Sequence, residues 1–188
     1  MSLPQEKVFI SEAEYLEMER KSLKKHEYYK GECFAMAGSS RRHNTLSLNI
    51  ASLFVNFFRK KHCQPYIADM RLQIDTHGHY VYPDVMLVCN EAAYVTEDMV
   101  NDATVIIEVL SKSTEQYDRG MKFLHYQSLP SLKAYILVSQ ESIQVEVYLH
   151  QDKDQWTYEL LKQPDDHLHL DCVNFSCSLA EFYASVNV

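Results

Sequence analysis

The stretch Ala103-Thr104-Val105-Ile106-Ile107-Glu108-Val109-Leu110 is an almost unbroken β-branched, apolar run. It lacks the alternation of a half-solvated strand, which predicts a strand covered on both faces. A different period governs the chain from about His43 to Lys60, where Leu46, Ile50, Leu53, Phe54 and Phe57 recur at i, i+4, i+7, i+8 and i+11. That spacing predicts an amphipathic helix, with Arg59-Lys60-Lys61 near its negative end. Ser11 with Glu14, after Ile10, makes a capping box and opens a helix that runs to about Ser22. Thr114 opens another, from Glu115 to Gln127, closed off by Leu129-Pro130, with Tyr117, Met121 and Leu124 as its inward face. Ser178 with Glu181 caps a last short helix.

The remaining segments read as strands. Glu27 to Met36 holds two short ones that turn at Lys30-Gly31. Pro65 to Ile74 and Tyr80 to Cys89 flank a hairpin turn at Thr76-His77-Gly78-His79, and Lys133 to Ser139, Ile143 to His150 and Trp156 to Leu161 form a meander. No internal repeat is present. Strands that precede a helix leading into a further strand imply an α/β fold, a mixed central β-sheet flanked by helices, as one domain across residues 1–188.

Composition narrows the function classes. The 188 residues include 26 Asp and Glu against 18 Lys and Arg, a formal charge of −8. Proteins that coat nucleic acid draw on cations to neutralise phosphates, so this balance disfavours that mode. It leaves open an enzyme that meets phosphate locally through a bound cation. The five cysteines form no CxxC pair, the first residues hold no apolar core of a signal peptide, and no apolar run reaches membrane-spanning length. These features predict a cytoplasmic protein without a membrane segment, its cysteines reduced and used mainly as small core residues, with no zinc site.

Two polar residues stand where the pattern calls for apolar ones. Glu108 sits near the end of the most hydrophobic strand, and Asp84, in Tyr82-Pro83-Asp84-Val85, opens another core strand. A buried carboxylate must be protonated, paired or coordinated. If the strands are neighbours the two acids face one another, and a cation between them relieves their repulsion. Hard oxygen donors suit Mg²⁺ or Mn²⁺, and the Val109 carbonyl is a further ligand candidate. Lys122, on the following helix, can reach back to orient an attacking water or stabilise transition-state charge. Plainer readings stand beside these: Asp84 as a turn cap, Glu108 as the partner of a core cation, and Lys122 in a surface ion pair with Asp118 at i−4.

Tyr29-Lys30-Gly31-Glu32, His43, Pro83-Asp84-Val85, and Glu108-Val109-Leu110-Ser111 with Thr114, Asp118, Lys122 and Tyr126 occur in that order, followed by Leu132-Lys133-Ala134-Tyr135-Ile136-Leu137-Val138. From about Ser11 to Tyr183 the series resembles a bacterial restriction-endonuclease family, often present in many copies per genome, of the PD-(D/E)XK nuclease superfamily. The resemblance implies a restriction-endonuclease-like core, a divalent metal on Asp84 and Glu108, and DNA as substrate. The superfamily pattern wants Lys two positions after the acid, where this chain has Leu110, so the resemblance moves the basic role to Lys122. Glu32 matches a family acid and joins as a further ligand or base. His43 either approaches the substrate phosphate or only ends the first helical turn.

The expected function is Mg²⁺-dependent hydrolysis of DNA phosphodiester bonds. The alternative is a non-catalytic nuclease-fold protein that binds a protein or nucleic-acid partner. A homodimer is expected, since two-fold pairs are the commonest assemblies. His77-Gly78-His79 is expected at a solvated hairpin tip. His167 and His169 are expected exposed on one strand face, and Arg41-Arg42 and Arg59-Lys60-Lys61-His62 at solvated helix ends that could guide a nucleic-acid backbone.

Overall fold

A computed structural model describes residues 9–36, 38–76, 78–152 and 155–188. Helix α1 (Glu12–Lys21) precedes a hairpin of β1 (His26–Tyr29) and β2 (Glu32–Ala35), and α2 (Arg41–Phe58) follows. Short strands come next: β3 (Gln64–Ile67), β4 (Arg71–Asp75), β5 (His79–Val81), β6 (Val85–Val88), β7 (Tyr94–Thr96) and β8 (Met99–Val100). β9 (Val105–Leu110) leads into a continuous helical stretch: α3 (Glu115–Tyr117), a π-helical turn (Asp118–Lys122) and α4 (Phe123–Tyr126). Then come β10 (Ala134–Ser139), β11 (Val145–His150), β12 (Trp156–Leu161), β13 (His167–Leu170), β14 (Phe175–Ser178) and α5 (Leu179–Phe182).

The α/β class stands, with two mixed six-stranded sheets where the sequence suggested one. Their orders are β12-β11-β10-β9-β6-β3 and β2-β1-β5-β4-β8-β7. β9 and β10 run parallel, so the helical stretch is their crossover. Each strand predicted around the 76–79 turn divides in two and crosses between sheets. β3 and β6 pair in the first sheet, β4 and β5 in the second. Pro83 has no N–H to donate to a ladder, and the break between β5 and β6 falls there.

Every residue of β9 is buried, as the apolar run predicts. Val105, Ile107 and Val109 join a core with Leu46, Ile50 and Phe54 of α2 and Phe182 of α5, while Ile106 and Leu110 join another with Tyr126 and residues of the second sheet. Phe54 is fully buried and meets Phe175 edge-on, ring centroids 4.9 Å apart.

Three expectations are corrected. Tyr117, Met121 and Leu124 are 39%, 51% and 57% exposed, whereas Asp118, Lys122 and Tyr126 are buried. The π-helical turn is wider than an α-helical one and shifts the phase of the stripe, and the buried acid on β9 draws the polar face inward. His79 lies buried in β5, its ring 4.6 Å from Tyr29 and 4.5 Å from His125, rather than at a solvated tip. His77 falls outside the described residues. Cys63 and Cys89 form a disulfide instead of remaining reduced. The β3–β6 ladder pairs Gln64 with Val88, so one further step sets Cys63 opposite Cys89. Cys33, Cys172 and Cys177 are free, and only Cys177 of these is buried.

His167 and His169 are exposed on β13, as expected. Among the described residues no helix is long and apolar enough to cross a membrane. Phe54→Ala should lower the unfolding free energy by about 3–5 kcal/mol, as loss of a large buried aromatic does. Urea denaturation with an unchanged m-value checks this, and a loss below about 1 kcal/mol would contradict Phe54's place in the core.

Candidate active site

The site grows out of the β6–β9 pairing. Val85 stands opposite Ile107 and Met86 opposite Ile106, so the next step of the register sets Asp84 opposite Glu108. Asp84 lies just outside the ladder, after Pro83, and its side chain takes the place of a missing backbone partner. Its Oδ2 accepts the Val109 N–H at 2.8 Å, and its own N–H donates to Glu108 Oε2 at 3.3 Å. The two acids are thus tied to each other's strands, backbone to side chain.

From one side α2 delivers His43, whose Nε2 lies 3.1 Å from Asp84 Oδ2. The helix start is fixed by Ser40, whose Oγ accepts the His43 N–H at 3.1 Å. Ser40 in turn donates to the buried Gln140, which donates its amide N–H to the Leu110 carbonyl at 2.9 Å. Gln140 therefore locks the start of α2 to the end of β9.

From the other side the helical stretch delivers Lys122 and Tyr126, one turn apart. Both converge on Glu108 Oε1: the Tyr126 hydroxyl donates at 2.7 Å and Lys122 Nζ stands at 2.9 Å. Lys122 Nζ is also 3.2 Å from Glu27 Oε1 on β1 and 3.8 Å from Asp118 Oδ1. The Asp118 pair exists but is buried and is the longest of the three. The plain surface-pair reading of Lys122 therefore fails, since its side chain is only 8% exposed.

Burial sets the electrostatics. Loss of water pushes the Glu108 carboxyl above the usual carboxylate range, with Lys122 pulling against it and Asp84 and Asp118 adding to it. Burial likewise raises Asp118. Burial alone disfavours the Lys122 ammonium, but Glu108 and Glu27 outweigh it and hold Lys122 well above the ordinary lysine value. Burial and the neighbouring Glu108 keep the Tyr126 hydroxyl protonated.

Among the described residues, Glu27, Glu108 and Asp118 lie around Lys122, and Asp84 is tied to Glu108 beside them. Glu27 Oε1 is buried and makes no hydrogen bond, only its ion pair. The short contacts to Asp84 and Glu108 fall on Oδ2 and Oε1. Among the described residues, that leaves Asp84 Oδ1 and Glu108 Oε2, the latter holding only the 3.3 Å bond from the Asp84 amide, as the oxygens turned to other use. An excess of acid with one open oxygen on each of two facing carboxylates fits a hard divalent cation.

The structure brings Asp84 and Lys122 each against Glu108. Val109 stands at the site through its amide. Glu32 is half-buried on β2 opposite Tyr29, on the hairpin face that carries Glu27. Leu110 is buried among Tyr126, Leu129 and Leu137, and the cation beside Glu108 is Lys122 of the helical stretch. Glu27 and Gln140 were missed. Strand alternation places Glu27 on one face with Tyr29, and that is the signal for it; Gln140 follows β10 and offers none.

Lys122→Ala leaves Glu108 buried without its counterion and should cost about 3–5 kcal/mol of stability. Adding Glu108→Gln should return part of that loss, because the unpaired charge is gone. A single-variant loss below about 1 kcal/mol in chemical denaturation would mean the pair is not buried in solution.

Residues 12–180 match the family model described as "Uma2: Putative restriction endonuclease". The chain is 34% identical over 174 residues to the uncharacterized protein slr1290 of Synechocystis sp. (strain ATCC 27184 / PCC 6803 / Kazusa), covering 93% of this chain and 91% of that protein. It is also 34% identical over 149 residues to sll1609 of the same organism, another uncharacterized protein, covering 78% and 84%. Its fold is similar to a crystal structure from Anabaena variabilis ATCC 29413, described as a putative nuclease belonging to DUF820. The TM-score is 0.74 at 16% identity, over 93% of this chain and 98% of that one.

Proposed function

The chain belongs to the Uma2 restriction-endonuclease family, and from that premise we propose that it is a divalent-cation-dependent endonuclease hydrolysing DNA phosphodiester bonds. One observation carries the reading. Asp84 and Glu108 are cross-tied at the end of the β6–β9 pair, each with an oxygen left for a cation, and Lys122 is anchored to the second acid. A Mg²⁺ or Mn²⁺ ion held by Asp84, Glu108 and the Val109 carbonyl would supply Lewis-acid neutralisation of the scissile phosphate.

The chain's own groups divide the remaining work. Lys122 stays an ammonium between Glu108 and Glu27 and therefore donates and neutralises rather than abstracting a proton. It orients the attacking water or meets charge on the phosphate oxygens as the phosphorus–oxygen bond breaks. Tyr126 and Lys122 together fix the Glu108 side chain, and His43 with the Val109 amide fixes Asp84. Such pre-set geometry is what a displacement at phosphorus requires. Glu32, on the face of Glu27, serves as a further base or ligand. Two copies, one per strand, suit cleavage of duplex DNA.

Plasmid DNA should be nicked or cut only with Mg²⁺ or Mn²⁺, and chelation should stop the reaction. Asp84→Ala and Glu108→Ala should each abolish cleavage, each assayed at a temperature where circular dichroism shows it folded. Lys122→Ala, compared at a temperature where it remains folded, should lose about 10²-fold or more in rate, by analogy with lost oxyanion donors. Cleavage that survives both acid substitutions would place the activity elsewhere. DNA binding with no cleavage under any metal would favour the non-catalytic alternative.

A further inference from the structure

The far end of β6 carries a cluster that this chemistry leaves unused. His62, Cys63 and Cys89 each present one ligand atom, and the three atoms lie within 4.8 Å of one another. Cys63 is buried, Cys89 partly so and His62 exposed, so the cluster opens to the surface. It forms part of the wall of an open cavity of about 480 Å³ shared with Lys60, Lys61 and Cys172. We propose that, once the Cys63–Cys89 bond is reduced, His62, Cys63 and Cys89 form a site for a borderline-soft divalent cation of the zinc class.

The geometry is close to what such an ion needs. Zinc–sulfur bonds of about 2.3 Å and zinc–nitrogen bonds of about 2.0–2.1 Å set tetrahedral ligand atoms roughly 3.5–3.8 Å apart. Releasing the S–S bond lets the two sulfurs part to that separation, with the imidazole already beside both. A disulfide staple has no need of an imidazole at its side; a metal site does. Two thiolates and a neutral imidazole balance a divalent charge. Cys172 lines the same cavity. Donor chemistry separates this site from the first: carboxylates before β6 select a hard cation, and sulfur and nitrogen after it select a softer one.

The reaction balances with a phosphine as reductant. Two electrons from phosphorus break the S–S bond, water supplies the oxygen of the phosphine oxide, and its two protons go to the sulfurs. Metal binding then releases those two protons to solvent.

Cobalt(II) is the probe, added to the full chain after phosphine reduction and removal of the phosphine under argon. The reduced protein should bind one Co²⁺ with sulfur-to-cobalt charge-transfer absorption that Zn²⁺ abolishes, and the oxidised protein should show none. Cys63→Ser and Cys89→Ser should each lose the band, His62→Ala should shift the titration to higher cobalt, and Cys33→Ser should leave it unchanged. Reduced protein with all five thiols titratable but no band would overturn the proposal. So would a band that persists in both Cys63→Ser and Cys89→Ser.

Discussion

The ion pair between Glu108 and Lys122 is the constraint around which both the fold and the site are arranged. A carboxylate in the central strand of an apolar sheet loses its hydration, at a cost of about several kcal/mol after relaxation. Three groups answer that cost: the Lys122 ammonium, the Tyr126 hydroxyl and the Asp84 amide. Two of them sit one turn apart on the same helical stretch, so the stretch must turn that face inward. Asp118 is carried inward with them, and Tyr117, Met121 and Leu124 are left in solvent. The polar contact therefore sets the orientation of a helix that apolar patterning alone would have rotated the other way.

The same pair explains what was legible in the sequence. The strand over 105–110 and helix α2 follow from strong, long periodicities, and the polar break at Glu108 is visible because its surroundings are so apolar. Asp84, Glu108 and Lys122 could be nominated for that reason. The division of the Tyr80–Cys89 stretch between two sheets was hidden, because a proline can mark a strand end or an edge equally well. Alternation puts Glu27 on one face with Tyr29, but a four-residue strand carries too little period to say which face meets the site. The Cys63–Cys89 pairing depends on the β3–β6 register, which sequence spacing does not encode.

The formal charge of −8 takes on a local meaning at this site. Glu27, Glu108 and Asp118 gather round Lys122 with Asp84 beside Glu108, an excess of acid that by itself repels a phosphate. Under the proposed function, the acidity that argues against a basic nucleic-acid coat is concentrated where a divalent ion would convert it into affinity for a phosphate. His43 and Gln140 add rigidity, by fixing the start of α2 against the end of β9.

On the proposed function, Asp84 and Glu108 share a cation. Crystals soaked in Mn²⁺ and measured for anomalous scattering test it most directly. A peak should stand within about 2.0–2.3 Å of an oxygen from each carboxylate, the range of hard-cation sites. Millimolar Mn²⁺ with no peak there, and both acids still satisfied by Val109, His43, Lys122 and Tyr126 alone, would contradict it.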